Sequence, residues 1–240
     1  MSADQFYDLK QNAKDMNKTP FARIPRKMDR VCFIVVNTTL SYREGNGVAP
    51  VNRAVPIAQT FKQYGYDVYF LANSHTPLFV EYLKLFIGRT YGHFVFVVCG
   101  QGGEGGPETL VFDDMPMSDE EFIAIVNGYR VANVPLTLIG EFSGETSIFH
   151  NPEAYNDGAI TFTITGDISK YQAGADSFVR QFTSAITDRH DMTAQRLYDL
   201  LRVLMKRQGL NLIVKASPPI DMEKPIAIWE PRQEMNQLIV

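Results

Sequence analysis

Two stretches of this chain leave no room for a solvent-facing side. Val31 to Val36 and His93 to Cys99 are apolar almost throughout and rich in β-branched residues. A strand with one wet face alternates apolar and polar side chains; a strand without alternation must be covered on both faces. That is the position of a central strand in a parallel sheet. Asp67 to Ala72, Val134 to Ile139, Ala159 to Thr165 and Leu210 to Lys215 read as further strands, with Thr109 to Phe112 a short strand or hairpin arm. Helical segments fall between them. Ala54, Ile57, Ala58 and Phe61 keep helical spacing until Gly65, and Thr76 to Ile87 follows as a second helix. Ser118 with Glu121 forms a capping box that opens a helix to Tyr129. Phe178 to Thr187 and Thr193 to Gln208 complete the set. Alternating strands and helices predict an α/β fold in three layers, a mostly parallel sheet with helices on both faces.

The 240 residues fit one large domain, and 45% hydrophobic content is enough to build its core without disulfides or a structural metal. The expected division is a polar leader over residues 1–29, with a short helix and a link punctuated by Pro20 and Pro25, followed by the α/β domain over 30–240. The two cysteines, Cys32 and Cys99, lie inside apolar runs, as free buried thiols of a reducing compartment do. No h-region of a signal peptide and no apolar stretch near ~20 residues is present, so the expected setting is cytoplasmic, without membrane contact. The sequons at Asn17 and Asn37 therefore carry no weight. A net charge of -4 argues against nucleic acid. The local basic run of Lys18, Arg23, Arg26, Lys27 and Arg30 reads as a solvated part of the leader.

In parallel sheets, sites form beyond the carboxyl ends of strands. Two loops there have the small-residue character to shape one, residues 100–106 and 140–145. The first contains Gly100, Gly102, Gly103, Gly105 and Gly106, but Pro107, Glu108 and Thr109 follow where a phosphate-binding loop needs Lys and Ser or Thr. The loop after the first strand has no dinucleotide fingerprint either, so no cofactor is expected. Asp113, Asp114, Asp119, Glu120 and Glu121 lack the alternate spacing of a calcium loop, and two of them open a helix, where negative charge is favoured. No metal site is expected.

At these two loops the chain resembles the caspase, metacaspase and paracaspase clan of cysteine peptidases. In that clan the third strand ends in Ser/Gly-His-Gly, which carries the general base, and the fourth in a segment such as Asp-Cys-Cys-His-Ser-Gly, which carries the nucleophile. This sequence has Cys99, Gly100, Gln101 and Gly102 at the first place, and Ile139, Gly140, Glu141, Phe142, Ser143 and Gly144 at the second. Downstream, Gln172 to Asp176 is similar to the Gln-Thr-Ser-Ala-Asp run of metacaspases, and Arg180 to Ile186 to their Gly-x-Phe-Thr-x-x-Leu helix. The resemblance runs from about Arg30 to Trp229. No single motif is intact; order and spacing carry it.

Carried over position by position, the resemblance puts the family's histidine on Gln101 and its cysteine on Glu141. A glutamine amide neither takes nor gives a proton near neutral pH, and a carboxylate is a poor nucleophile toward amides. Backbone N–H groups near Gly102 and Glu141 could still form an oxyanion hole, but the hole and binding alone leave only ~10³–10⁴-fold catalysis over water. The resemblance thus implies a pseudo-peptidase with no catalytic residue. Its peptide groove would involve Gly102, Ser143 and Asp176, and its partner would be a protein such as an active metacaspase-like homologue. Asp176 has an alternative as a surface or helix-capping residue. Two alternatives remain for the whole chain, a hydrolase with relocated or altered catalytic groups and a purely structural subunit. Cys99 is one relocated candidate, and Ser143 with Glu141 and His150 can be drawn as a triad.

Overall fold

The apolar runs become the inner strands of one seven-stranded sheet. The computed structural model describes residues 6–38, 49–101, 109–110, 112, 114–143, 149–166, 178–188 and 192–224. In chain order the strands are β1 (Lys14–Asp15), β2 (Met28–Val36), β3 (Asp67–Ala72), β4 (Thr90–Gln101), β5 (Thr109–Leu110), β6 (Met117–Ser118), β7 (Leu136–Ser143), β8 (Ile160–Thr165) and β9 (Asn211–Ala216). The main sheet has the order β1-β3-β2-β4-β7-β8-β9, while β5 and β6 form a separate antiparallel ribbon. All neighbours in the main sheet run parallel except β9, which is antiparallel to β8.

Helices cover both faces, as the unalternating strands require. The helices are α1 (Tyr7–Asn12), α2 (Ala49–Gln63), α3 (Thr76–Arg89), α4 (Asp119–Tyr129), α5 (Phe178–Asp188) and α6 (Ala194–Arg207). Because successive strand residues point to opposite faces, β2 splits its run between two cores. Cys32, Ile34 and Val36 join Val97, Ile139 and Phe162 beneath α1, α2, α5 and α6. Val31, Phe33 and Val35 join Phe96 and Leu138 beneath α3 and α4. The second core is largely aromatic. Phe96 lies 5.8 Å from Phe33, 5.7 Å from Phe79 and 5.1 Å from Phe122, centroid to centroid.

The helix ends follow the expected chemistry. Gly65, at φ +78°, donates to Lys62 O while Tyr66 donates to Phe61 O, which stops α2 in a left-handed turn. Both arms of the Ser118–Glu121 capping box are formed at α4. α2 starts earlier than the periodicity indicates, at Ala49, and holds Pro56 in its interior. Proline offers no N–H to the Asn52 carbonyl, a loss made tolerable by the exposure of Asn52 to water. α3 receives its cap from another element. His75 makes no side-chain cap, and the Asp114 carboxylate accepts from both the Thr76 N–H and hydroxyl, at 2.8 and 2.9 Å.

The stretch expected to be a polar leader is built into the domain. Residues 7–12 form α1, Lys14 and Asp15 pair with β3, and Leu9, Met16, Ile24 and Met28 are buried. Asn17 extends this pairing with its side chain: its amide donates to Ala72 O and its carbonyl accepts from Ala72 N–H. β1 is the outer strand at this end, and its edge is closed off. The Asp15 carbonyl already accepts from Lys18 N–H and the Thr19 hydroxyl.

Phe96 is fully buried among four rings, Phe33, Phe79, Phe122 and Phe149. Phe96→Ala is therefore expected to cost about 3–5 kcal/mol through lost transfer energy and the cavity left behind. Urea denaturation of both proteins measures this, and a loss below about 1 kcal/mol would contradict the packing described.

Candidate functional site at the strand ends

The chain enters the sheet's centre with β2, adds β3 on one side, and then returns to lay β4 on the other. That reversal makes the carboxyl ends of β2 and β4 the switch point at which parallel sheets place their sites. Asn37 N–H donates to Cys99 O at 3.1 Å there and keeps the two strand ends together. β7 lies next to β4, so both segments singled out in the sequence do reach this end of the sheet side by side.

The register does not set Gln101 opposite Glu141. Cys99 stands opposite Glu141, and Gln101 opposite Ser143. Glu141 thus lies two residues deeper than the strand end and does not share a rim position with Gln101. It is only 3% exposed. For Gln101 and Ser143 the backbone is described and the side chains are not; Gly102 and Asp176 lie outside the described residues.

Glu141 is not alone. The Arg53 guanidinium, from the first turns of α2, approaches it with Nε 3.4 Å from Oε2, and both side chains are buried. Neither of those two atoms has a hydrogen-bond partner, so the contact between them is one of proximity rather than an aligned hydrogen bond. Burial pushes the Glu141 carboxyl above its ordinary range, and the Arg53 charge pulls it back. Sequence reasoning missed Arg53. The signal was present: Arg53 precedes Ile57 and Phe61 by four and eight residues, on the apolar stripe of α2. A cation on such a stripe calls for a buried anion.

Beside this pair sits Cys99, fully buried. Burial, and then the Glu141 charge, push its thiol up to about 12, against the opposing effect of Arg53. Cys32 is likewise raised well above the ordinary range by burial. Neither sulfur carries appreciable thiolate at neutral pH, and thiolate is the nucleophilic form.

The histidines do not supply a base here. His93 lies six residues back along β4, about 20 Å from Cys99 at strand rise. Its Nδ1 is 2.6 Å from the Tyr66 hydroxyl and its Nε2 2.9 Å from the Thr137 hydroxyl. Burial, with the charges of Arg30 and Arg130, lowers its pKa to about 3, so the ring is neutral and both nitrogens are engaged. His150 does not join Ser143 and Glu141. Its carbonyl accepts from Lys215 Nζ, and Lys215 is in register with Thr161 and so with Leu138. That level is five residues, about 16 Å, below Ser143.

Three members of the acidic cluster are spent on structure, and Asp113 lies outside the described residues. Asp114 caps α3, Glu121 closes the capping box, and Asp119 accepts from Phe149 N–H at 3.5 Å. Among the described residues no group of three or more His, Cys, Asp or Glu side chains could hold a metal ion. No described helix is long and apolar enough to cross a membrane. Fold and strand ends together define a three-layer α/β protein. No family model matches the chain, and no curated protein is similar to it.

Two outcomes follow from this geometry. Glu141→Gln leaves a buried guanidinium without its counter-charge and is expected to destabilise the fold by about 3–5 kcal/mol. Pairing it with Arg53→Met should recover a large part of that loss in a double-mutant cycle by urea denaturation. Additive losses would show that the two groups are not coupled. His93 adds a pH dependence. Unfolded, its ring titrates near 6.5, and folded near about 3, so between those values the unfolded chain binds the extra proton. The stability from a neutral ring is complete above pH about 6.5 and is lost as pH falls toward about 3. Melting curves taken from neutral to acid pH should show this decline, with a shallower slope in His93→Gln.

Proposed function

We propose that this chain is a caspase- or metacaspase-like domain that has lost peptidase chemistry and acts by binding another protein. The observation that carries this reading is the buried ion pair of Glu141 with Arg53. On this reading Glu141 stands where the clan holds its nucleophile. A carboxylate is a poor nucleophile toward amides, and this one is buried against a guanidinium, away from an incoming peptide. The side-by-side arrangement of β4 and β7 supports the assignment of the two dyad positions. The high thiol pKa of Cys99 and the engaged ring of His93 argue against a relocated dyad.

The partner on this reading is a protein, such as an active homologue of the same fold. β9 is the outer strand of the sheet, with Asn211 and Lys215 exposed and Ile213 and Val214 half-buried. None of the described strands lies beyond it, and strand addition along that edge is the mode of partner binding this reading favours. The polar groups of the old groove, Ser143 and Asp176, would provide a second contact. One observation favours an alternative hydrolase: Glu141 is a carboxyl shifted upward by burial, as general acids are. That reading requires substrate to displace Arg53.

Fluorogenic peptides with Arg, Lys or Asp at the scissile position test the proposal directly. The pure protein is expected to release no fluorophore above the uncatalysed rate, and Glu141→Ala or Cys99→Ala to leave that unchanged. Turnover that disappears in either variant would sink the reading.

A further inference from the structure

A concave feature lies at the β1 edge of the sheet. It is a groove of ≈ 460 Å³ between α1 with β1, the end of α2 and the start of β3. Four lysines line it, Lys10, Lys14, Lys18 and Lys62, against two carboxylates, Asp15 and Asp67. A chain with a net charge of -4 thus concentrates positive charge in one concavity. The fold holds this concentration in place. Lys62 Nζ donates to Gln11 O at 2.8 Å, which fastens α1 to α2 across the groove. Lys14, in register with Tyr69 at the β1 edge, lies 5.1 Å from the centroid of that ring, which belongs to the core beneath α3 and α4. Among the described residues neither Lys14 nor Lys18 makes an ion pair, and both are exposed.

We infer that this groove is a docking site for an acidic, extended peptide segment of a partner protein. Its charge is complementary to a run of Asp or Glu, and its volume suits a few residues of extended chain. The carboxylates of Asp15 and Asp67 give such a peptide acceptors for its backbone N–H groups, donors that a sugar–phosphate backbone does not carry. Single-stranded nucleic acid also relies on exposed aromatic rings for base stacking, and the groove's one aromatic residue, Tyr66, is buried. Nor does the β1 edge invite strand addition, since Lys18 and Thr19 occupy the Asp15 carbonyl. Side-chain ion pairs, rather than a backbone ladder, are what this surface can offer. The inference does not depend on the fate of the catalytic positions.

The test is fluorescence anisotropy of a labelled oligoglutamate peptide titrated with the full chain, alongside a labelled single-stranded oligonucleotide of equal charge. The peptide is expected to bind more tightly than the oligonucleotide and to weaken as salt rises. Lys14→Glu with Lys18→Glu should weaken it about tenfold or more, and the milder pair Lys14→Gln with Lys18→Gln by a smaller factor. Lys206→Glu with Arg207→Glu, on α6, should leave it unchanged. A circular-dichroism melt accompanies each variant, and the glutamine pair carries the test if the charge reversal does not fold. No binding of the peptide, equal binding of the oligonucleotide, or equal losses at α6 and at the groove would each overturn the inference.

Discussion

The inner strands have no face that can meet water, and the rest of the architecture follows from that constraint. β2 and β4 are buried along both sides, so helices have to lie on each face. Once both faces are covered, side chains of the inner strands can reach the outside only at the strand ends. The place where β2 and β4 lead away from each other is then the natural location for a site, whatever chemistry the residues there support.

At that location the molecule has placed charge without access. Arg53 and Glu141 lie in an environment where an isolated ion of either sign would be far costlier than in water. Together they raise the thiol pKa of Cys99 less than the carboxylate alone would, but burial still dominates. The polar residues on the same face at the other end of the sheet, His93, Tyr66 and Thr137, likewise satisfy one another. Both sets of groups would look reactive in a sequence. In the folded chain their partners are already chosen.

Much of the layered fold was legible because it rests on local patterns. The apolar runs, the Gly65 stop and the Ser118 box each signal their structure within a few residues. What sequence could not supply was register and long-range pairing. In the sequence Gln101 and Glu141 each follow an apolar run, but the β4–β7 alignment that sets Cys99 against Glu141 depends on packing across the whole sheet. Arg53 was overlooked because its partner comes from a distant strand. The early segment misled for a different reason. Its many charges point outward and hide the spaced apolar anchors Leu9, Met16, Ile24 and Met28. Asp114 could be counted among acidic neighbours, but not recognised as the cap of a helix that precedes it.

The two ends of the sheet are unlike. At one, β1 is two residues long and its outward carbonyl is taken by its own chain. At the other, β9 runs for six residues with no described strand outside it. On one flank, then, an added strand would have to displace hydrogen bonds the chain makes to itself; among the described residues no such exchange is needed on the other.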